Sequence, residues 1–366
     1  MPSSKQPKYA QIKADLRLQI LQGAFTPGQP FVTQQQICDL YAVSMLTAAR
    51  ALNELEFEGL VTRQRGRGTF VAELRAPAKV GESKSIMCIV PGLTSGHVAN
   101  VVRGIESVCD SRDYQLVLAD SHGSEERQSR SLQRAAAGEV AGVIIYPVEG
   151  AADEESIAQL RAANVPIVFA DRYWPDIPAD AVILDDFAIG YELTRKLIAR
   201  GHRSIGTVWG EVACTSVRDR LAGHLRALRE HELPVIGELT ALRPYLPASA
   251  SAGTSVLKRM FTGTVPPTAL LCANGFVLAS AMNELAEWGA DGAEPVELAG
   301  MDEAGPYDTL PLTVASAALP STEMGSRAAE ILLGRLGAPS VSDDTAHIVL
   351  PVEIHVRDVP AVLIQA

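Results

Sequence analysis

Between residues 86 and 299 the chain alternates short β-rich apolar runs with longer helical stretches, and few architectures accept that rhythm. The runs 86–90, 115–119, 142–146, 167–170, 181–184, 205–209, 269–272 and 296–299 read as strands. Between them, 100–111, 125–137, 158–163, 189–199, 217–231 and 276–288 read as helices. Such alternation predicts parallel sheets with helices on both faces, because returning to a parallel neighbour needs a crossover long enough to hold a helix. Ligand sites in such sheets lie at the carboxyl ends of the strands. The span 86–366 is long enough for two lobes, roughly 86–185 with a C-terminal crossover and 186–318.

Ahead of this region, 75–85 (RAPAKVGESKS) is poor in large apolar residues and reads as a linker, which leaves 1–74 as a separate domain. There Tyr9, Ile12, Leu16 and Ile20 space a first amphipathic helix, and the GAFTPG turn at 23–28 ends it. Thr33 caps a short helix over 34–41, and Ala42-Val43 turns the chain into a further helix capped by Ser44. In that helix Leu46, Leu52 and Leu55, continued by Leu60 and with Ala48, Ala49 and Ala51 between, supply a buried face; Gly59 stops it. The segments 60–63 and 69–71 then pair as strands around Gln64-Arg65-Gly66-Arg67-Gly68. This is a helix-turn-helix followed by a basic hairpin, whose second helix suits a major groove. Arginines at such a tip suit phosphates or a minor groove, although a solvated basic turn has the same composition.

Charge supports the division. The whole chain is −11, yet residues 1–75 hold nine Lys and Arg against six Asp and Glu, so this part is +3 and the remainder −14. Of the two parts, the net-basic one carries the hairpin, as a nucleic-acid reader would require. Five scattered cysteines, Cys38, Cys88, Cys109, Cys214 and Cys272, form no CxxC pair, and no HExxH spacing occurs, so neither disulfides nor a metal site is expected. No cofactor fingerprint appears: there is no P-loop and no GxSxG elbow. The N-terminal residues lack a secretory apolar core and no run reaches membrane-span length, so a cytoplasmic location is expected.

Residues 8–72 resemble the GntR family of bacterial winged helix-turn-helix regulators. The markers are Tyr9 with Ile12, the GAFTPG turn, Val43-Ser44, Leu55 through Gly59-Leu60-Val61, and Gly66-Arg67-Gly68-Thr69-Phe70-Val71. The resemblance implies operator contacts from Thr33, Gln34, Gln35, Ser44, Met45, Thr47, Arg50, Arg65, Gly66 and Arg67. It departs from the family pattern at Met45 and Ala49, where arginines are usual, and at Gln35, where a basic residue is frequent. A bidentate arginine-to-guanine pair is worth about 1–3 kcal/mol of discrimination, so this chain should read a different operator, or bind more weakly. Met45 and Leu46 either touch thymine methyls or serve the core, and one of the two is assigned to the core.

Residues 86–357 resemble the sensor domain of the LacI family, which shares its fold with periplasmic sugar-binding proteins. The matching stretches include VPIVFADRYWPDIPADAVILDDFAIGYELTRKLIARGHRSIGTVWG, RDRLAGHLRAL, PPTALLCANG, LAGMDE and LPVEIHVRD. Joined to a GntR-type reader, this resembles the arabinose-regulator subgroup of bacterial repressors. The implied fold is a small α+β winged helix-turn-helix domain, then a two-lobed α/β periplasmic-binding-protein-like domain with parallel sheets. The implied ligand is a small polar effector, a sugar or sugar derivative, held by Ser95, His97, Asp171, Arg172, Arg220, Asn274 and Asp302. Arg220 stands at the position that clamps sugar hydroxyls, which a guanidinium does through two parallel hydrogen bonds. Asp171 and Arg172 fit equally a turn device. Trp174, Trp209 and Tyr245 are stacking candidates that core packing explains as well. Asn274-Gly275 replaces the usual Asn-Asp, and losing that carboxylate leaves open a different hydroxyl pattern or an anionic sugar acid or phosphate. The expectation is a ligand-responsive repressor, not an enzyme, acting on double-stranded operator DNA as a homodimer away from membranes. The alternative is a sugar-binding protein or α/β enzyme with a degenerate DNA-binding module.

Overall fold

The computed structural model describes residues 8–21, 25, 29–57, 60–64, 68–71, 83–242, 256–288, 296–301, 313–336 and 345–358. The chain divides into two compact units, Met1–Lys79 and Val80–Ala366.

In the first unit, helices α1 (Lys8–Leu21), α2 (Gln34–Tyr41) and α3 (Met45–Phe57) precede strands β1 (Val61–Gln64) and β2 (Gly68–Val71). Ile12, Leu16 and Ile20, each four residues apart, present one buried stripe to Ile37 of α2 and to Ala48, Ala51, Leu52 and Leu55 of α3. Leu60, Val61 and Val71 close the same core from the hairpin, where Val61 faces Val71 and Gln64 faces Gly68. Thr33 and Gln36 form a reciprocal capping box at the start of α2. Ala42 ends α2 at φ 49°, ψ 52°, a left-handed conformation that costs an L-residue roughly 1–2 kcal/mol and turns the chain sharply into α3.

The structure departs from the expectation that one of Met45 and Leu46 belongs to the core. Leu46 is 82% exposed and Met45 51%, so neither belongs to the core. At 100° per residue, Leu46 lies about 160° round the helix from Ala48 and faces outward. Met45 is nearer the buried stripe but sits at the open end of α3, with its Sδ 3.4 Å from Cys38 Sγ of α2.

The second unit begins with β3 (Ser85–Val90), α4 (Gly96–Ser111), β4 (Gln115–Asp120), α5 (Glu125–Arg134), β5 (Gly142–Ile145), α6 (Glu154–Ala162), β6 (Ile167–Asp171) and β7 (Asp180–Leu184). The pleat of β3 sends Ile86, Cys88 and Val90 to one core, and Met87 and Ile89 to another on the opposite face. Both faces are therefore apolar, which is why these strands read as continuous hydrophobic runs.

The second lobe follows the same plan: α7 (Asp186–Ala199), β8 (Ile205–Trp209), α8 (Thr215–Glu230), β9 (Thr240–Leu242), α9 (Val256–Phe261), β10 (Ala269–Cys272), α10 (Gly275–Trp288), β11 (Glu297–Gly300) and β12 (Thr313–Ala318). The chain then returns to the first lobe with α11 (Ser321–Leu336) and β13 (His347–Leu350), and finishes in the second with β14 (Glu353–Val356). The sheet orders are β13-β7-β6-β5-β3-β4 and β14-β12-β11-β10-β8-β9. Every pairing is parallel except β12 with β14. Three short crossovers join the lobes, at Asp185, at Leu319-Pro320 and at Pro351-Val352.

In each lobe one helix pair crosses at glycine. A Cβ on Gly190 of α7 would stand 1.9 Å from Arg220 O, and one on Gly223 of α8 2.1 Å from Phe187 O. The first lobe repeats this with α4 and α11, where Gly104 meets Thr322 O at 2.0 Å and Gly325 meets Val101 O at 2.0 Å. Only hydrogen fits at these four places, so each pair packs backbone against backbone.

Candidate functional site

In the first unit, most of the candidate DNA-contact residues lie at the starts of α2 and α3. Ser44 Oγ accepts from Thr47 N at 3.4 Å, capping the helix, and lies 3.0 Å from Thr47 Oγ1. Thr33 is engaged in its capping box, and Gln35 Nε2 donates to Asp39 at 3.0 Å. Gln34 opens α2 and is half-buried. Arg50 folds back: its guanidinium lies 3.8 Å above the Tyr9 ring and donates to Tyr9 OH at 3.2 Å. Arg65, Gly66 and Arg67 lie outside the described residues.

In the second unit, polar side chains from both lobes converge on one cleft, lined among others by Ser95, His97, Tyr146, Asp171, Arg172, Glu211, Ser216, Arg220, Asn274 and Phe276. Most follow directly from strand ends. Ser95 and His97 come after β3, Tyr146 after β5, Asp171 and Arg172 at the end of β6, Glu211 after β8 and Asn274 after β10. This is the carboxyl edge of each sheet, where loops leave the core and polar groups need no strand partner.

Among the described residues, hydrogen bonds join the two lobes directly. Arg172 donates to Glu211 through Nη1 to Oε1 at 2.9 Å and Nη2 to Oε2 at 3.2 Å, and both side chains are buried. Tyr173 N donates to Thr215 Oγ1 at 3.2 Å, and Ala213 N to Glu149 Oε1 at 3.0 Å. Arg172 also reaches Tyr146 OH at 3.3 Å and the Cys214 sulfur. Its Nε, although buried, makes no hydrogen bond with any described residue.

Asp171 Oδ1 accepts from His97 Nε2 at 2.9 Å, and His97 Nδ1 lies 2.7 Å from Ser321 Oγ. Burial alone would raise the Asp171 carboxyl, but the His97 hydrogen bond, with the charges of His97, Arg172 and Arg220, holds it well below the usual range. Arg220 donates through Nε to Asp186 Oδ1 at 2.7 Å and through Nη1 to Ala273 O at 2.8 Å. Burial pushes Asp186 up to about 7 against the pull of Arg220, helped by repulsion from Asp171. The cleft therefore holds a firmly ionised carboxylate, and behind Arg220 stands a second one whose pKa burial raises. Asp171 at φ 69° and Glu211 at φ 53° both occupy the left-handed region, a strain of about 1–3 kcal/mol each that tends to gather at binding sites.

Six of the seven sequence candidates for the ligand meet at this cleft; Asp302 lies outside the described residues. Asn274 Oδ1 is engaged by Val277 N at 2.9 Å, capping α10. Trp174 and Trp209 are core residues, Trp174 edge-on to Phe169 at 5.5 Å, and neither lines the cleft. Tyr245 falls outside the described residues. Sequence reasoning missed Glu211, Asp186, Tyr146 and Ser216. Glu211 and Tyr146 stand just past apolar strands, the same position that drew attention to Asp171. Asp186 reads in sequence as helix-start chemistry. Among the described residues no group of three His, Cys, Asp or Glu side chains is placed to hold a metal, and no helix is long and apolar enough to cross a membrane.

Residues 8–71 match the model of the bacterial regulatory proteins of the gntR family, and residues 83–354 that of the periplasmic binding proteins and sugar-binding domain of the LacI family. The chain is 27% identical over 358 residues to an arabinose metabolism transcriptional repressor of Geobacillus stearothermophilus, covering 96% of this chain and 97% of that one. Among solved structures, a LacI family transcriptional regulator from Mycobacterium smegmatis aligns with a TM-score of 0.63 at 24% identity, over 75% of this chain and 99% of that one. A LacI family regulator from Enterococcus faecium with bound ribose aligns at 0.63 and 23%, over 76% and 99%. With three-quarters of its length inside the sensor match and its N-terminal unit inside the other, this chain belongs to the LacI-type sugar-binding-domain family and carries a gntR-family regulatory module in front of it.

Proposed function

We propose that this protein is a cytoplasmic, homodimeric repressor that reads operator DNA through α3 and the basic hairpin and responds to a sugar-like effector in the cleft. The observation that carries this reading is the convergence of Asp171, Arg172 and His97 from one lobe and Arg220 and Glu211 from the other on one buried polar space, in a chain that also holds a helix-turn-helix. A ligand touching both sets has different affinity for different lobe arrangements, and only such a difference can shift an equilibrium coupled to DNA binding.

In this reading Arg220 and Asp171 bond adjacent hydroxyls, His97 orients Asp171, and Ser95, Asn274 and Arg172 complete the polar lining. Arg172 Nε makes no hydrogen bond with a described residue and has the Asp171 carboxylate 3.5 Å away, which supports a ligand oxygen completing its coordination, since an unsatisfied buried donor costs about 1–3 kcal/mol. The charges favour a neutral polyol over the anionic ligand that Asn274-Gly275 left open. Arg172 already faces Glu211 and Arg220 faces Asp186, so an incoming anion would meet compensated cations and the Asp171 carboxylate. The ribose-bound relative lends this support for the fold class. Binding without turnover is part of the proposal.

Calorimetric titration of the full chain with neutral pentoses and hexoses and with their aldonates tests it, paired with operator binding in the presence and absence of each. A neutral sugar that binds and changes operator affinity is the expected result. Exclusive binding of aldonates would reverse the charge argument, and chemical conversion of a bound sugar would replace the repressor reading with an enzymatic one.

A further inference from the structure

The most exposed large apolar side chain among the described residues is Leu46, at 82%, and its neighbour Met45 is 51% exposed. A single exposed leucine on a soluble protein needs no explanation. This pair is different because of what surrounds it. It occupies the first turn of α3, the end of a helix-turn-helix second helix that approaches base edges. The core of this unit is satisfied without it, by Ala48, Ala51, Leu52 and Leu55 on the other face.

The polar groups of the same turn are already engaged. Ser44 caps the helix and pairs with the Thr47 hydroxyl, and Arg50 lies over Tyr9 and within 4.0 Å of Glu54. Contact between Met45 Sδ and Cys38 Sγ holds Met45 against α2 and leaves Leu46 as the outermost group. The surface offered to a groove at this point is therefore aliphatic, within a net-basic part of a chain whose remainder is net acidic. Among the base edges of a B-form major groove, the thymine C5-methyl is the one apolar group.

We infer that Leu46, flanked by Met45, is a specificity-determining contact that reads thymine methyl groups in the major groove of each half-site. This rests on the DNA-reading role proposed above and adds its base preference. It accounts for a reader that lacks arginine at Met45: an apolar residue there extends the methyl-binding surface, whereas a guanidinium would select guanine. The hairpin arginines read from the sequence, Arg65 and Arg67, then supply sequence-independent attraction, and selection falls to shape and methyl contact.

The test uses the full-length protein and a duplex carrying a site it has selected from random sequence. Thymines are replaced one at a time by deoxyuridine, which removes only the methyl group. At one or two positions per half-site the replacement should weaken wild-type binding by about four-fold each, the value of one buried methyl-sized group. Leu46→Ser, shown by circular dichroism to be folded, should bind thymine and uracil duplexes alike at those positions. Equal wild-type affinity for thymine and uracil at every position would overturn the inference while leaving the DNA-reading role in place. So would a Leu46→Ser protein that keeps the thymine preference. Failure of the folded wild-type protein to select any site would overturn both.

Discussion

Arg172 at the end of β6 and Glu211 beyond the end of β8 grip each other in two parallel hydrogen bonds across the cleft, one residue from each lobe, with both side chains removed from water. A buried pair of this kind is weak as a net source of stability, because desolvating two charges offsets most of their attraction. Losing one member is another matter. Glu211→Ala is expected to lower the unfolding free energy by about 3 kcal/mol, and Arg172→Met combined with Glu211→Leu to recover most of that loss. Urea unfolding followed by tryptophan fluorescence reads both; a single variant as stable as the parent would mean that water reaches the pair.

Arg220 acts on two structural partners, Asp186 and the carbonyl of Ala273, and on the proposed ligand. Arg220→Lys keeps the charge but cannot reproduce the forked geometry. Effector affinity should drop by about a hundredfold in this variant, in line with truncating a buried charged hydrogen bond, while operator affinity without effector stays at the parental level. Calorimetry and fluorescence anisotropy separate the two, and an undiminished effector affinity would remove Arg220 from the site.

His224 lies in α8, its Nδ1 2.8 Å from Thr194 Oγ1, whose hydroxyl donates to Gly190 O at 2.7 Å; the ring therefore donates. Burial lowers its pKa from 6.5 to about 4. A depressed pKa contributes stability that is present above 6.5 and lost as pH falls through about 4, a swing of about 3 kcal/mol. Asp186, raised to about 7, has the opposite sign: its contribution is present below 3.8 and lost as pH rises through 7. The two oppose each other between pH 4 and 7. The informative quantity is the difference between the parent and His224→Gln, which should grow in the parent's favour as pH rises across that range. A pH-independent difference would assign His224 no role in this linkage.

The glycine crossings give the sharpest steric expectation. Gly223→Ala places a methyl 2.1 Å from Phe187 O and 2.7 Å from Tyr191 N, so α7 and α8 must separate. The cost should be about 3 kcal/mol, at the upper end of ordinary overpacking, because the obstacle is backbone. Gly334→Ala in α11 meets nothing within 4 Å and should instead stabilise by about 0.5–1 kcal/mol through helix propensity. Melting temperatures moving in opposite directions would bear this out, and a neutral Gly223→Ala would show that the crossing yields.

Much of this architecture is legible in the chain because local rules and tertiary structure agree. The runs 205–209 and 269–272 are strands at those limits, and Thr33 caps the helix it precedes. Leu46 was misread because its spacing from Leu52 and Leu55 is roughly helical, and an apolar residue is counted toward the core unless its angle is computed residue by residue. Asp171, Arg172 and Arg220 were readable from motifs, while Glu211 and Asp186 were not. Their importance comes from a partner on another element, 39 residues away for Glu211 and 34 for Asp186, and no local pattern encodes that pairing. The C-terminal return to the first lobe was anticipated from the sequence, while the elements that make it, α11 and β13, are given by the structure.

The three crossovers between the lobes are no more than two residues long, and two of them contain proline, Pro320 and Pro351. The first and third are also joined, Asp185 N donating to Leu350 O at 3.0 Å. Three short struts fixed side by side behave like the knuckles of a door hinge. They resist sliding and unscrewing, and concentrate angular change in a few backbone torsions, with the proline φ values already set near −65°. Asp185, Leu319 and Val352 are left as the pivots. Stiffening one of them should act as a brake on the whole leaf, whichever side chains line the far edge.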